Sequence, residues 1–169
     1  MRPTRDQWAM SLVNATALRS TCCRRNVGCV MLNARGHVVS TGYNGVAAGL
    51  PHCNEITDVE KTHSTFGSVQ LQNVHGFACS GATSPSGTNL DGCEAIHAEQ
   101  NALLQCRNVY EIDTVYVSAS PCVTCTKLLM NTSARRVVFS EEYPHNQARD
   151  MWEKSGRVWE KFDEHKTQA

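Results

Sequence analysis

The chain has 169 residues, 41% of them hydrophobic and 19% charged, a balance typical of one globular domain and not of a disordered chain. Lys plus Arg and Asp plus Glu each number 16, so the chain lacks the basic excess that binding to long nucleic acids usually requires. No segment approaches the roughly 20 apolar residues of a membrane span, and the polar N-terminal segment lacks the apolar run of a signal peptide. We therefore expect a cytoplasmic protein without a membrane or polynucleotide partner.

The cysteine content is odd and high, with nine residues. Thiols remain reduced in the cytosol, so metal binding explains this number better than disulfide bonds do.

The first half of the chain predicts a helix, a hairpin and a long insert. Residues 5–20 predict an amphipathic helix, with Trp8, Leu12, Ala15 and Leu18 at near-helical spacing. The following apolar runs, separated by a turn at 33–36, predict a β-hairpin. Residues 51–93 are rich in Gly, Ser, Thr, Pro, His and Asn, and so predict an insert with little regular structure inside a single domain, 1–169.

The second half predicts alternating helices and strands. Residues 96–107 predict a helix with Leu103 and Leu104 facing inward. After it come a β-branched strand, a helix that starts at "PCVTC", the strand "RRVVFS", the helix "NQARDMWEKSG" and the strand "RVWEKF". This order predicts an α/β sandwich whose later strands are parallel, with Trp152 and Trp159 in the core.

The cysteines of "PCVTC" provide the strongest chemical signal. Cys122 and Cys125 are three residues apart and share one face of a helix, although such a pair alone also occurs in redox and structural zinc sites. His97, at another helix start, adds an imidazole. Three protein ligands leave a fourth tetrahedral position for water, which is typical of a catalytic zinc.

Glu99, two residues after His97, is the predicted proton carrier. A zinc ion with two thiolates is formally neutral, so it acidifies a water less than an all-imidazole site does, and a nearby base is needed. The alternative is a structural Cys/His cluster with Glu99 on a solvated helix face.

These residues form the zinc deaminase signature H-x-E…P-C-x-x-C. Three segments together resemble the deoxycytidylate (dCMP) deaminase family: "TCCRRNVGCVMLNARGHVVSTGYNG", "EAIHAEQNALLQC" and "VYVSASPCVTCTKLLMNTSARRVVFSEEY". The resemblance covers most of residues 8–145 and suggests a phage or bacterial member, which would act in the host cytoplasm if phage-encoded. It implies a cytidine deaminase-like α/β/α sandwich, with a central five-stranded mixed sheet and helices on both faces.

The resemblance also implies an activity: zinc-dependent hydrolysis of dCMP to dUMP and ammonia, which feeds thymidylate synthesis. The family is typically a homohexamer, activated by dCTP and inhibited by dTTP, with Mg²⁺ as an expected companion of the effector. Glu99 would carry the proton of the attacking water to N3 of the base.

The resemblance assigns further residues to two nucleotide sites. For the substrate it implies contacts from Ala98 through its backbone N–H, from Asn44 to the sugar, from Tyr143 to the base, and from Arg24, Asn26 and Ser120. For the allosteric nucleotide it implies Arg24, Gly42, Tyr43, Gly45 and Asn101. A plain turn at "YNG" and a solvated arginine pair at 24–25 are the competing interpretations.

Cys22, Cys53, Cys79 and Cys93 are the predicted ligands of a second, structural zinc that would hold the insert. Relatives carry such a zinc at positions that match Cys22 and Cys53. His52, His63 and His75 lie nearby in the sequence, so the remaining ligands stay open, and isolated buried thiols are the alternative. Cys23, Cys29 and Cys106 are predicted to be core thiols.

Two other functions compete with dCMP deamination. A tRNA adenosine deaminase, or another small-molecule nucleobase deaminase, would share the zinc chemistry, but the tRNA enzyme should have a basic face. A zinc-stabilised binding module without catalysis would not need Glu99 or an open coordination position.

Overall fold

The computed structural model describes residues 2–65, 68–85, 88, 92–143 and 146–165, and of residues 57–65 and 68–75 the backbone alone. The chain divides into two compact units, one of residues 1–20, 26–44 and 96–169, the other of residues 21–25 and 45–95. Across the described part of the chain, no helix combines the length and apolar character that crossing a bilayer requires.

The elements alternate along the chain much as predicted. The helices are α1 (Arg5–Ala17), α2 (Ala98–Gln105), α3 (Val123–Met130) and α4 (Asn146–Lys154), with a short 3₁₀ helix at Val109–Glu111. The strands are β1 (Gly28–Leu32), β2 (Val38–Tyr43), β3 (Gly45–Val46), β4 (Ile56–Thr65), β5 (Ser68–Phe77), β6 (Ala95–Ile96), β7 (Thr114–Ala119), β8 (Arg136–Glu141) and β9 (Val158–Lys161).

A five-stranded sheet in the order β2-β1-β7-β8-β9 forms the centre of the first unit. β1 pairs antiparallel with β2 and β7, whereas β7, β8 and β9 are parallel, which confirms the predicted mixed sheet. Ala119 of β7 and Glu141 of β8 are register partners. The residues that follow these two strands therefore lie at one edge of the sheet, where open α/β sheets commonly bind ligands.

Side chains of the central strands alternate between two hydrophobic clusters because successive residues of a strand point to opposite faces. One cluster holds α2, α3 and α4 against the sheet, and its members are Cys29, Met31, Ala98, Ala102, Ile112, Val115, Val117, Leu129, Ala134, Val137, Phe139 and Trp152. The other holds α1, and its members are Ala9, Met10, Val13, Val30, Leu32, Tyr116 and Val138. The predicted helices on both faces are thus confirmed. Trp152 is fully buried, and Trp159 packs against the first cluster.

The predicted apolar face of α1 is wrong. Trp8 is 37% exposed and Leu18, which lies beyond the helix end, is 82% exposed, while Ala9, Met10 and Val13 are buried. A Cβ at Gly28 would collide with the backbone oxygen of Val13, so the helix approaches the sheet too closely for a larger residue at this contact. The helix itself begins where a capping box forms: Thr4 Oγ1 accepts the Gln7 N–H at 3.1 Å, and Gln7 Oε1 accepts the Thr4 N–H at 2.8 Å.

An ion-pair network also holds α1 on the sheet. Arg136 donates from Nη1 and Nη2 to the two carboxylate oxygens of Asp6 at 2.9 and 2.7 Å, and also contacts Glu160 at 2.7 Å. The Tyr116 hydroxyl donates to Asp6 Oδ1 at 2.6 Å. Burial, and then the bond to Asp6, raise the pKa of Tyr116 well above its usual value.

The second unit contains a feature that the sequence did not predict. Strands β4 and β5 form an antiparallel hairpin whose register runs from Ile56 opposite Phe77 to Thr65 opposite Ser68. Regular structure therefore occupies much of the insert that was expected to be irregular. The side chains of His63 and His75 lie outside the described part of this hairpin.

Candidate metal centre

His97 occupies the N-cap position of α2, with the extended backbone angles φ −70° and ψ 156°. The predicted position of His97 at a helix start is thus present. Gln100, which the sequence analysis did not single out, accepts the His97 backbone N–H through Oε1 at 2.9 Å. A capping box is recognised in a sequence by Ser, Thr, Asp or Asn three residues before the glutamine, so a histidine at the N-cap conceals this signal.

Cys122 occupies the N-cap position of α3, directly after the turn that leaves β7. Its Sγ accepts the backbone N–H of Cys125 at an N···S distance of 3.5 Å. The helix itself begins at Val123, so Pro121 lies one residue before the N-cap and not in the first turn, where the sequence predicted it. Because Pro121 has no N–H, it cannot continue the strand ladder of β7.

The three predicted zinc ligands converge, although the helices that carry them are separate. His97 Nδ1 lies 3.5 Å from Cys122 Sγ and 3.4 Å from Cys125 Sγ. Among the described residues, these three are the group of potential ligands whose donor atoms all lie within 4.8 Å of one another. With Zn–S near 2.3 Å and Zn–N near 2.0–2.1 Å, a tetrahedral zinc places sulfur and nitrogen about 3.6 Å apart. The donor set and its spacing fit a zinc ion with three protein ligands.

The two thiols of this cluster differ in their tendency to ionise. The pKa of Cys122 is lowered to about 4, chiefly because the Cys125 side chain hydrogen-bonds to its thiolate, with His97 and the Cys125 N–H adding to the effect. The same bond, together with burial, raises the pKa of Cys125. A bound divalent cation removes the proton from such thiols, so metal binding would release the Cys125 proton.

Glu99 interacts with all three of these residues and is nearly closed off from solvent, with 4% of its surface exposed. Burial raises the pKa of its carboxyl to about 7, although His97 and a backbone hydrogen bond oppose the rise. Its side chain also forms a hydrogen bond with Cys125. Glu99 therefore does not lie on a solvated helix face, which was the alternative. A buried carboxyl beside a metal cluster can both accept and return a proton near neutral pH.

Asn44 and Asn101 hold the chain around β2 and α2. Asn44 is 8% exposed, and its Oδ1 accepts the Val27 N–H at 2.8 Å and the Ser20 hydroxyl at 2.6 Å. Asn101 Nδ2 donates to the Tyr43 carbonyl at 2.8 Å, so it links α2 to the end of β2. A Cβ at Gly42 would collide with the Ala98 carbonyl and the Ala102 N–H, which explains why β2 carries a glycine where α2 crosses it.

Ser120 and Tyr143 lie at the sheet edge next to the metal ligands. Ser120 is 4% exposed, and its Oγ accepts the Tyr143 backbone N–H at 2.7 Å. Ala98, the other residue predicted to face the base, is the fully buried first residue of α2.

The remaining nucleotide-site predictions fall on the second unit or at its sequence boundary. The Arg24 guanidinium donates from Nη2 to the carbonyls of Pro85 and Thr88, at 2.7 Å each. These two bonds attach the Arg24 side chain to the backbone of the insert. Gly45 is the buried first residue of β3, and Asn26 is exposed.

All four cysteines predicted for a second zinc are among the described residues and lie in the second unit, although their sulfur atoms do not all approach within the 4.8 Å that the first cluster meets. Cys53, Cys79 and Cys93 belong to one small hydrophobic cluster. Burial, and then the neighbouring thiols of Cys79, Cys22 and Cys93, raise the pKa of Cys53 to about 12. All nine cysteines are free thiols. Cys29 is buried, but Cys23 is exposed, which corrects its prediction as a core thiol, and its Sγ contacts the Cys53 carbonyl at 3.3 Å.

Known proteins share both the sequence pattern and the fold. The family model described as "Cytidine and deoxycytidylate deaminase zinc-binding region" matches residues 3–141. The deoxycytidylate deaminase of Mycobacterium phage D29 is 36% identical over 142 residues, which cover 83% of this chain and 98% of the phage protein. The Schizosaccharomyces pombe deoxycytidylate deaminase is 31% identical over 144 residues, and the chain spans only 38% of the length of that relative.

A solved structure, that of the dCMP deaminase from the cyanophage S-TIM5 in complex with dCMP and dUMP, has the same fold. The match has a TM-score of 0.64 at 21% identity and covers 96% of this chain and 99% of the other. The extent of the family match, from the first helix to the end of β8, assigns the chain to the cytidine and deoxycytidylate deaminase zinc-binding family.

Proposed function

We propose that the chain hydrolyses dCMP to dUMP and ammonia. The observation that carries the chemistry is the buried Glu99 carboxyl beside the His97, Cys122 and Cys125 donors. The choice of dCMP follows the names of the relatives, above all the phage D29 protein, which this chain matches over 98% of its length.

His97, Cys122 and Cys125 would hold the zinc, which supplies Lewis-acid activation of the attacking water when bound. Glu99 would take one proton from the attacking water at a carboxylate oxygen and deliver it to N3 of the base, while the water oxygen bonds to C4. It would then take the proton left on that oxygen and pass it to the amino group, which leaves as ammonia as the C4 carbonyl forms. A carboxyl with a pKa near 7 suits both transfers, because it accepts and donates protons at similar cost near neutral pH.

The nucleotide would be bordered by residues at the edge formed by α2, β7 and β8. The Ala98 N–H, at a helix start, is a suitable donor for the carbonyl O2 of the base. Asn44 would contact the sugar, and Tyr143, whose backbone N–H donates to Ser120, would border the base. Arg24 and Asn26 stay candidates for the phosphate, although Arg24 would have to combine that role with its bonds to Pro85 and Thr88.

A second zinc would be held in the insert by Cys22, Cys53, Cys79 and Cys93. The support is that all four lie in one unit and that Cys53, Cys79 and Cys93 share a small hydrophobic cluster. Burial and then the neighbouring thiols raise the pKa of Cys53, and a bound cation would favour its thiolate. A four-cysteine set is typical of a structural zinc, and it would stabilise a segment with a small hydrophobic core.

The proposal also covers the oligomeric state of the protein and its regulation by nucleotides. The chain would form a homohexamer in the cytoplasm, activated by dCTP and inhibited by dTTP, with Mg²⁺ accompanying the effector. Gly42, Tyr43, Gly45, Asn101 and Arg24 are the candidate allosteric residues.

The deciding experiment supplies purified, zinc-loaded protein with dCMP, CMP, dCTP, deoxycytidine and tRNA, and follows ammonia release. We expect turnover of dCMP that dCTP and dTTP alter in opposite directions. A zinc-loaded protein that leaves dCMP unchanged, with and without dCTP, would contradict the proposed activity. Turnover of tRNA instead would identify a polynucleotide deaminase.

A further inference from the structure

Ser120 occupies the point where the ladder between β7 and β8 stops. The two strands are parallel, with Ala119 and Glu141 as register partners. The pairing extends one residue further, because the Ser120 N–H donates to the Glu141 carbonyl at 2.8 Å. Pro121 then turns the chain toward α3, so no further main-chain group of β7 follows the strand direction.

The Ser120 side chain supplies the acceptor that a continued strand would have provided. Its Oγ lies 2.7 Å from the backbone nitrogen of Tyr143, two residues beyond the end of β8. The hydroxyl is almost completely shielded, since Ser120 is 4% exposed. The bond is partly buried, and an N–H left without an acceptor there is costly, so the bond favours one backbone position at Tyr143.

This bond connects two parts of the proposed active site. Ser120 lies two residues before Cys122, whose Sγ belongs to the metal cluster. Tyr143 was predicted to border the base. The distance between the metal ligand and the backbone of Tyr143 therefore depends on a short connection: one serine side chain, one proline and one cysteine.

We propose that Ser120 is a positioning residue, which acts on the nucleotide through the Tyr143 backbone and not through a direct contact. The inference rests on the proposed dCMP deamination for its kinetic consequences, but the hydrogen bond itself can be tested without any turnover. Tyr143 would contact the base, and Ser120 would fix the position of the Tyr143 backbone.

The matched control is Ser118, two residues earlier on the same strand. Its hydroxyl accepts a backbone N–H in the same way, from Gly28 of β1 at 3.2 Å. Ser118→Ala therefore removes an equivalent bond from β7 without changing the contact to Tyr143. Zinc content and thermal unfolding of both variants verify that each has folded and retains its metal.

Amide hydrogen exchange, measured by mass spectrometry on a peptide that contains Tyr143, tests the contact directly. Ser120→Ala should accelerate exchange at this amide by roughly three- to tenfold, the factor that one hydrogen bond contributes, whereas Ser118→Ala should leave it unchanged. Unchanged exchange in Ser120→Ala would overturn the proposal even if the protein has no activity on dCMP.

A double-mutant cycle tests whether Ser120 affects the reaction through Tyr143. We expect Ser120→Ala to lower kcat/KM for dCMP by roughly three- to tenfold, mainly through KM, and to lower it less than twofold in a Tyr143→Ala background. An equal loss in both backgrounds would show that Ser120 contacts the nucleotide directly, and would overturn the positioning role. If the wild-type protein does not deaminate dCMP at all, the proposed function fails and the exchange measurement alone decides the role of Ser120.

Discussion

His97 Nδ1 lies 3.4 Å from Cys125 Sγ, although 28 positions separate the two residues in the chain. Each belongs to the first turn of a different helix, and the central sheet brings these two helix starts together. A tetrahedral zinc needs about this nitrogen-to-sulfur distance, so little rearrangement would accompany metal binding.

The first prediction concerns this cluster. Cys125→Ala should lower the zinc content by one ion per chain, because two remaining donors bind zinc far more weakly than three. Cys106→Ala, which changes a partly buried thiol at the end of α2, is the matched control and should keep the full metal content. Elemental analysis after dialysis measures both, and an equal loss from the two variants would exclude Cys125 as a ligand.

A second prediction concerns the proton carrier. Glu99→Gln keeps the size and burial of the side chain but cannot move a proton, so kcat for dCMP should fall at least ~10²-fold while zinc stays bound. Glu94→Gln, at an exposed position in the same segment, should retain near-normal kcat. A Glu99→Gln enzyme with nearly the wild-type rate would show that another group carries the proton.

The insert provides a third prediction. If four cysteines hold a second zinc, Cys53→Ser should remove one zinc per chain and lower the unfolding temperature, since a structural site loses affinity when one ligand is lost. Cys23→Ser is the control, because Cys23 is exposed and its described contact is with the Cys53 carbonyl. A wild-type protein with a single zinc would contradict the second site.

The bond from Tyr116 to Asp6 predicts a specific pH dependence of stability. The folded protein raises the pKa of Tyr116, so the phenol stays protonated when an unfolded chain, with a tyrosine pKa near 10, would lose its proton. The stabilisation is therefore complete below about pH 10 and decreases as the pH rises above it. Below pH 10, Tyr116→Phe should lower the free energy of unfolding by about 1–3 kcal/mol, because it removes a bond to a charged acceptor.

The comparison across pH distinguishes this effect from simple packing. The difference between wild type and Tyr116→Phe, measured by urea unfolding at pH 8 and at pH 10.5, should be smaller at the higher pH. A difference that is constant or grows with pH would contradict the raised pKa.

The contact between Gly42 and α2 predicts that this position tolerates no side chain. Gly42→Ala places a methyl group against the Ala98 carbonyl and the Ala102 N–H, so α2 must move, and the free energy of unfolding should fall by more than about 2 kcal/mol. The control is Gly156→Ala, where nothing lies within 4 Å and only the backbone angle, φ 76°, opposes the change. That variant should lose about 1 kcal/mol, and equal losses would argue against the close helix contact.

Local patterns in the sequence were sufficient for the order of the elements outside the insert and for the parallel strands, but they did not predict the hairpin of β4 and β5. The β-branched strand segments and the turn at 33–36 depend on a few neighbouring residues, and the structure confirms both. Whether an individual side chain points toward the core or toward solvent was less predictable. Leu104 is 77% exposed because α2 presents Ala98 and Ala102 to Gly42, and two residues further along a helix the side chain points away.

The amino-acid sequence by itself determined the chemistry of this protein: one imidazole, two thiols and a carboxylate, each at a spacing that places it at a helix start. Only the tertiary structure decided how these groups meet, since the parallel pairing of β7 with β8 and the packing of α2 on β2 involve residues far apart in the chain. It also decided the burial of Glu99 and the partner of the Ser120 hydroxyl. Residue types and spacing fix which bonds a chain can form, whereas burial and distance depend on every element that packs around the site.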